Sequence, residues 1–451
     1  MLKYPLLTGR GSPAEEMSAY MLTSNITRDE NGAVRFAGQS IGRLAAEYGT
    51  PLYLMDAQRI RDNCRMYLRA FDECFPAGSR VLYAGKAASF KAICRIMAQE
   101  GMGLDAVSVG EMHTALSAGF PAEDIWFQGD GKTDADIRWA LEHHIGCFVV
   151  DNAEELAALS AMAAERGVRQ KILVRVTPGI DPHTYEAVNT GTVDVKFGAP
   201  IQTGQAMELL RLALAAPGVA LKGLHSHVGS EVFDESVFHD LCDVMVEFMS
   251  AVRSELGWTA EELDLGGGYG VRYVDADPRA DIPSRIGEVA AHLRRRIEEA
   301  GLPMPKVLME PGRSIVADAG MTVYTVSTVK HIPGVKNYVI TDGGMADNPR
   351  YCLYGARYTV LHGDRASEKE ETFDLAGRCC ENGDILQPGI RLPADTRRGE
   401  HVCVCTTGAY NYSMASNYNR LGRPPVVMLD GGQSSVAVRR ETPEDVCALD
   451  I

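Results

Sequence analysis

VLYAGKAASFKAICRIMAQEGMGLDAVSVG (residues 81–110) carries the pattern that decides the fold. A short apolar, β-branched run, VLYAGK (81–86), passes into FKAICRIMAQEG, whose apolar residues recur at helical spacing. A second strand-like run, LDAVSVG (104–110), follows at once. The same strand-then-helix unit repeats along the chain. Further strand candidates are IWFQG (125–129), CFVVD (147–151), KILVRVTP (171–178), LKGLHSHVG (221–229), LDLGGG (263–268) and VLMEPG (307–312). Between them GEMHTALSAGF, DADIRWALEHHI, AEELAALSAMAAERG and IGEVAAHLRRRIEEAG read as amphipathic helices. Eight such units in about 250 residues predict a (β/α)8 TIM-type barrel. A doubly wound open sheet is the competing arrangement, but it concentrates its chemistry at one switch point. Here polar residues end most strands, as a barrel with its site on that face requires.

Beyond residue 318 the texture changes. MTVYTVSTVKHI, KNYVITDGG, EETFDLAGRCC, HVCVCTTGAY and PPVVMLDGG alternate apolar and polar residues between Gly, Pro and Asp turns. They predict a β-rich domain, sandwich- or barrel-like, over 319–451. Residues 1–50 hold a short strand (AVRFAG) and a helix (IGRLAAEYG) before PLYLMD, and are expected to pack with that β domain. The barrel then occupies 51–318.

The bulk composition excludes several classes. The chain has 451 residues, 45% hydrophobic and 23% charged, as in ordinary globular proteins. Its formal net charge of −15 argues against a nucleic-acid surface or a basic membrane patch. The 11 cysteines lack metal or redox spacing: Cys379 and Cys380 are adjacent, and Cys403 and Cys405 are one residue apart. Reduced thiols in a cytoplasmic protein are the expectation. The opening MLKYPLLTGRGSPAEE has neither the apolar core of a signal peptide nor the length of a membrane anchor.

Four motifs carry chemistry. Lys86 ends the first barrel strand in YAGKAAS. A buried lysine loses proton affinity, and its amine becomes able to form an imine with an aldehyde; a surface lysine at a strand–loop junction is the plainer alternative. Gly266, Gly267 and Gly268 in LDLGGGYG follow a strand and suit a phosphate cradle, or only a tight turn. In GLHSHVGS, Gly229 and Ser230 could donate to the same phosphate, while His227 stacks on an aromatic ring or serves the structure alone. In MEPGRS, Glu310 could keep a pyridine nitrogen protonated, or pair with Arg313 to close the barrel.

With these motifs in one order at different strand ends, the chain closely resembles the diaminopimelate decarboxylases. These belong to the fold-type III, alanine-racemase-like decarboxylases. The matching stretches span about residues 40 to 435. They are YAGKAAS, LDAVSVGEMHTALSAGF, KFG (196–198), GLHSHVGS, LDLGGGYG, EPGRS, DNPRYCLYGARY, CCENGD and GAYNYSMASNYN. The resemblance implies pyridoxal 5′-phosphate as cofactor and decarboxylation of meso-2,6-diaminopimelate to L-lysine. Lys86 would carry the cofactor as a Schiff base, His227 would stack on its ring and Glu310 would face its nitrogen. Ser230 and Gly266 to Gly268 would bind the phosphate, with the backbone near Gly312 and Arg313 helping. Arg313, Arg350 and Tyr354 would hold the distal carboxylate of the substrate, with Glu381 near its distal amine. Tyr410 would touch cofactor and substrate, and Cys380 would donate the proton. Cys380 and Glu381 would arrive from a second subunit, which implies a homodimer with shared active sites.

A substrate with a second amino-acid head needs an added cation, and Arg captures carboxylates with two parallel bonds. Ornithine, arginine or carboxynorspermidine would leave Arg350 without a ligand, and these sister decarboxylases are the alternative enzymes, with a racemase on the same fold a third. A non-catalytic cofactor-binding homologue would lack Lys86, Glu310 or Cys380, and all three are present. The chain departs from the family pattern at Ala88 and Ser89, where Asn often follows KA, and at Val109, where Gly is frequent. Ser226 stands where Cys is common and Glu231 where Gln is usual, placing a negative charge on the expected phosphate side.

Overall fold

The computed structural model describes residues 23–181, 190–192 and 194–451. The opening stretch, read above as neither signal peptide nor anchor, falls in 1–22 and lies outside the described residues. Strands β1 (Ile26–Arg28), β2 (Val34–Phe36) and β3 (Gln39–Ser40) form a small antiparallel sheet, followed by a helix at Ile41–Tyr48. Ile26, Phe36, Ile41 and Leu44 are buried against Met321, Val323, Cys403 and Leu429, so this segment joins the C-terminal β domain. β4 (Leu52–Asp56) lies beyond the expected boundary at 51 yet also enters that domain's sheet. All five of its residues are buried, which suits a strand flanked on both edges.

The barrel follows: β5 (Arg80–Ala84), β6 (Gly103–Ala106), β7 (Ile125–Phe127), β8 (Cys147–Val150) and β9 (Gln170–Thr177). After the short β10 (Ala199–Pro200), which pairs with β9, come β11 (Val219–His225), β12 (Glu262–Asp264) and β13 (Lys306–Met309). β13 pairs with β5 and β8 with β9, closing eight parallel strands into a cylinder. Each of the eight strand candidates corresponds to one of these. The helices start where the sequence supplies caps: Ser108 accepts from the Glu111 N–H, and Thr133 forms a reciprocal box with Asp136.

Side-chain parity decides what faces the barrel axis. Leu82, Trp126, Cys147, Val149, Leu173 and Leu308 form a separate buried cluster that fills the interior. Their neighbours Val81, Tyr83, Leu104, Phe127 and Ile172 pack outward under the helices. Two residues past each interior residue, the same parity brings Ala84, Gln128, Asp151, Arg175 and Glu310 to the C-terminal mouth. Asp105, His225 and Asp264 reach it on their own strands. The mouth is therefore ringed by polar groups over an apolar floor.

The β domain is built on β14 (Gly320–Ile332), which pairs with β4, β15 (Lys336–Thr341) and β19 (His401–Cys405). β16 (Val360–His362) pairs with β19, and β17 (Glu370–Ala376) lies between β15 and β18 (Ile385–Pro393). β20 (Val426–Asp430) pairs with β4 and with β21 (Gln433–Val438). β18 has no clean alternation because Pro388-Gly389 interrupts it, and the β17 register shifts opposite. No helix among the described residues is long and apolar enough to cross a membrane.

Candidate active site

A cavity of about 400 Å³ opens at the C-terminal mouth of the barrel, in the range of small-molecule sites. Lys86 lies on one turn of 3-10 helix, Gly85–Ala87, directly after β5. The β domain clamps this turn: the Tyr410 N–H donates to the Ala87 carbonyl at 2.7 Å, and Ser413 Oγ donates to the Lys86 carbonyl at 3.0 Å. Tyr410 holds a left-handed backbone (φ 60), a conformation costly for a bulky residue and common at functional sites. Lys86 is exposed to the cavity but ringed by protein.

The expected loss of proton affinity at Lys86 is not found. Burial lowers it, but Asp105, Tyr410 and Glu310 together outweigh burial and hold the amine above the ordinary lysine value. The reason is the carboxylate density of the barrel mouth, which stabilises an ammonium there. Lys86 therefore faces the carboxyl groups of Asp105 and Glu310 as an ammonium.

Glu310 follows β13 at the base of the cavity. Gln128 Nε2 donates to its Oε1, and His225 Nε2 lies 3.3 Å from its Oε2. Burial favours the neutral acid, yet His225, His227 and Lys86 pull the other way, and the carboxyl is held down at about 2. His225 itself is pushed down by burial, against the pull of Glu310. Those two tendencies conflict if each is taken alone. The geometry resolves them: a neutral His225 with its proton on Nε2 still donates to Glu310, and Gln128 and Lys86 stabilise the anion. Nearby Asp105 and Asp264 are pushed well up, by burial and then by the charge of Glu310. Of the three carboxyl groups, Glu310 is the one held below its ordinary value.

His227 accepts from the Gly267 N–H at 3.2 Å through Nδ1, which fixes its ring and its tautomer. Burial and then the charge of Lys86 keep it well below the usual histidine range, hence neutral. A Cβ on Gly267 would come 2.1 Å from the Glu310 carbonyl, and one on Gly268 would come 2.2 Å from the Gly229 carbonyl. This turn therefore admits only glycine. Gly268, Ser230 and Gly312 line the cavity, and Gly266 and Gly267 precede Gly268 in the same turn.

On the outer side, Arg313 opens a short helix, Arg313–Val316, and donates to Ser230 Oγ at 3.0 Å and Tyr273 Oη at 2.8 Å. The alternative Glu310–Arg313 pair is absent from the described contacts, since each has other partners. Arg350 opens the helix Arg350–Tyr354 and donates to Tyr358 Oη at 2.8 Å. The turn before it is braced by Asp347, which accepts from Tyr324 Oη at 2.6 Å and from the Gly344 N–H at 2.8 Å. Both guanidiniums stack on Tyr410, at 4.8 and 6.0 Å from its ring centre. Burial weakens both cations, but the tyrosines and Glu231 more than restore them. Glu231 lies on this arginine side of the cavity, where the sequence had suggested the phosphate side.

Of the candidate residues, Lys86, His227, Ser230, Gly268, Glu310, Gly312, Arg313, Arg350, Tyr354 and Tyr410 line one cavity. Cys380 and Glu381 do not; both are exposed on the surface of the chain. Asp105, Gln128, Arg175, His225 and Asp264 were missed as individuals, although each lies in a quoted strand run. The available signal was inward parity at a strand end. Val109 begins a helix and Ser226 is buried; neither displaces a group of the cavity.

These groups fit pyridoxal 5′-phosphate. An amine for its aldehyde, a flat neutral ring, an ionised carboxylate and a glycine turn surround one space. Asp105 Oδ1 and His225 Nδ1 are buried there without a hydrogen-bond partner among the described residues, as in a site built for a polar ligand. The comparisons with known proteins agree. Residues 58–317 match the family of the pyridoxal-dependent decarboxylases, pyridoxal binding domain. The diaminopimelate decarboxylase of Bacillus subtilis (strain 168) is 40% identical over 427 residues, 94% of this chain and 96% of that protein. The chain belongs to the diaminopimelate decarboxylase family. That of Bacillus methanolicus is 41% identical over 92% of this chain and 95% of its own. Among solved structures, the diaminopimelate decarboxylase from M. jannaschii in co-complex with L-lysine superposes with a TM-score of 0.87 at 31% identity. It covers 95% of this chain and 98% of that one. The protein is thus a pyridoxal-phosphate-dependent carboxy-lyase with a fold-type III barrel.

Proposed function

We propose that this protein decarboxylates meso-2,6-diaminopimelate to L-lysine and CO2, with Lys86 as the residue that anchors the cofactor. The observation that carries the reading is the pair of buried arginines, Arg313 and Arg350, facing the space that also holds Lys86 and Glu310. Buried guanidiniums are costly without anions, and Glu231 supplies one carboxylate for the two of them. A substrate with a second carboxylate supplies another, whereas ornithine and other simple diamines do not.

Bound in this cavity, the cofactor supplies an electron sink for the pair left on carbon when CO2 departs. The chain's own groups set the conditions. Glu310, kept ionised by Gln128 and His225, is placed to hold a proton on the ring nitrogen. His227, neutral and fixed by Gly267, offers a flat ring for stacking, and Ser230 with Gly266 to Gly268 and Gly312 receives the phosphate. Arg313, Arg350 and Tyr354 orient the distal head, so that the other carboxylate is the one lost. Tyr410, stacked by both arginines, closes the cavity over cofactor and substrate. Purified holoenzyme should release equal CO2 and lysine from meso-diaminopimelate and leave ornithine nearly untouched. Equal turnover of ornithine would defeat the reading.

The proton for the vacated carbon and an anion for the distal amine are assigned to Cys380 and Glu381 of a second copy. Support comes from their surroundings. The Cys380 N–H donates to Asn419 Oδ1 at 2.9 Å, and Cys352 Sγ donates to the Gly383 carbonyl at 3.0 Å. These contacts tie the exposed Cys380–Glu381 turn to Asn419 and to the helix that carries Arg350. The resulting homodimer has an expected signature. Lys86→Ala and Cys380→Ala chains, each inactive alone, should regain about a quarter of the native sites when mixed equally and reassorted. No regained activity would place Cys380 in its own chain's site. The eleven unpaired cysteines suit work in the reducing cytoplasm.

A further inference from the structure

Arg313 and Arg350 lie close enough to oppose each other, and their side chains are only 6% and 3% exposed. Tyrosine hydroxyls satisfy part of their hydrogen bonding but supply no charge. Among the described residues, one carboxylate reaches either guanidinium, and it reaches both. Glu231 Oε1 lies 3.4 Å from Arg313 Nη1 and 3.8 Å from Arg350 Nη2. Both distances exceed the roughly 2.7–2.9 Å of a charge-assisted hydrogen bond. The carboxylate therefore neutralises the pair without saturating it. Its backbone is left-handed (φ 61), a conformation that disfavours a glutamate. Chain on both sides is pinned: Ser230 receives two bonds from Arg313, and the Val232 N–H donates to the Gly268 carbonyl at 2.9 Å. The side chain is thus aimed at the arginines by its neighbours and not by its own preference.

We infer that Glu231 is the resident anion of the two-arginine subsite, competing with the distal carboxylate of the substrate and thereby filtering which anions enter. The inference rests on the reading of Arg313 and Arg350 as the distal carboxylate site. An intramolecular carboxylate has a high effective concentration, so a small free anion displaces it poorly. A diamino diacid is held at its other end by the cofactor, and its second carboxylate then competes on equal terms. Chains of the wrong length gain nothing from that tether. Glu231 acts here as a positioning and specificity residue.

The test uses the full-length holoenzyme and the Glu231→Gln variant, which keeps shape and removes charge. Calorimetric affinity for glutarate, a simple dicarboxylate, should tighten by about three- to tenfold, the reach of one nearby charge. KM for meso-diaminopimelate should fall by a similar factor, with the change carried by KM and not by kcat. Glu231→Gly, which also relieves the left-handed backbone, should tighten glutarate in the same way and guards against a folding defect in the first variant. Unchanged or weaker glutarate binding in both variants would overturn the inference. Arg350→Ala separates the two readings. A raised KM there together with unchanged glutarate binding in the Glu231 variants sinks only the resident-anion role. An unchanged KM there removes the arginine subsite itself.

Discussion

Lys86→Ala should lose the visible absorbance of the bound cofactor and lower decarboxylation by several orders of magnitude. The argument is geometric before it is chemical. Lys86 is the amine on the strand-end turn of the cavity, opposite Glu310 and His227, and its turn is held by Tyr410 and Ser413 through backbone carbonyls. Removing the side chain leaves those bonds in place, so the fold should survive, as circular dichroism would register. What disappears is the nucleophile. The raised proton affinity of Lys86 sharpens the expectation. Asp105 and Glu310 favour the ammonium, and only the free amine attacks an aldehyde. The rate of linkage should therefore rise with pH in the native chain, and linkage should be absent in the variant. Borohydride reduction followed by peptide mass mapping should place the cofactor on the peptide containing Lys86. A stable adduct at Lys132, Lys171 or Lys196 would reassign the anchor.

The barrel could be read in the sequence because parallel strands buried on both faces leave continuous apolar runs, as in CFVV and KILVRV. The β domain was readable only in part. β18 hides behind Pro388-Gly389, and β21, with the sequence QSSVAV, is an edge strand with little burial. β4 looked like the first element of the barrel segment because local pattern carries no information on a partner more than 250 residues away. The site divides along the same line. Lys86, Glu310 and the glycine turn stand in distinctive local strings. Asp105, Gln128, His225 and Asp264 do not, since an Asp or Gln at a strand end gains meaning only when the barrel closes. The proton affinity of Lys86 went against expectation for that reason too. Burial was foreseeable from the strand, but the carboxylates that reverse its effect come from β6 and β13.

Closure also explains why charges so close together are tolerated. Asp105, Asp264 and Glu310 cannot all ionise within one buried mouth. Asp105 and Asp264 are pushed up, while Glu310, with Gln128, His225 and Lys86 facing it, is held down. The difference follows hydrogen-bond supply, and it singles out Glu310 as the carboxylate proposed to face the ring nitrogen.

Glu310→Gln follows as the second large effect. A glutamine keeps the shape and an acceptor for Gln128, but it cannot hold a proton on the ring nitrogen opposite. Turnover should fall by roughly two to four orders of magnitude, the range of a positioned acid–base group, while cofactor linkage at Lys86 persists. Glu310→Asp keeps the charge one methylene farther back and should lie between. The acid stability of the chain provides an independent check. The folded carboxyl sits at about 2, below its ordinary 4.5, so its stabilising contribution is complete above about 4.5. That contribution is lost as pH falls from 4.5 through 2. Glu310→Gln has no such group, so its stability should decline less steeply across that window than that of the native chain. Turnover within threefold of native, or an identical acid slope, would mean that the anion at the barrel mouth resides on Asp105 or Asp264 and that the ring nitrogen is served from there.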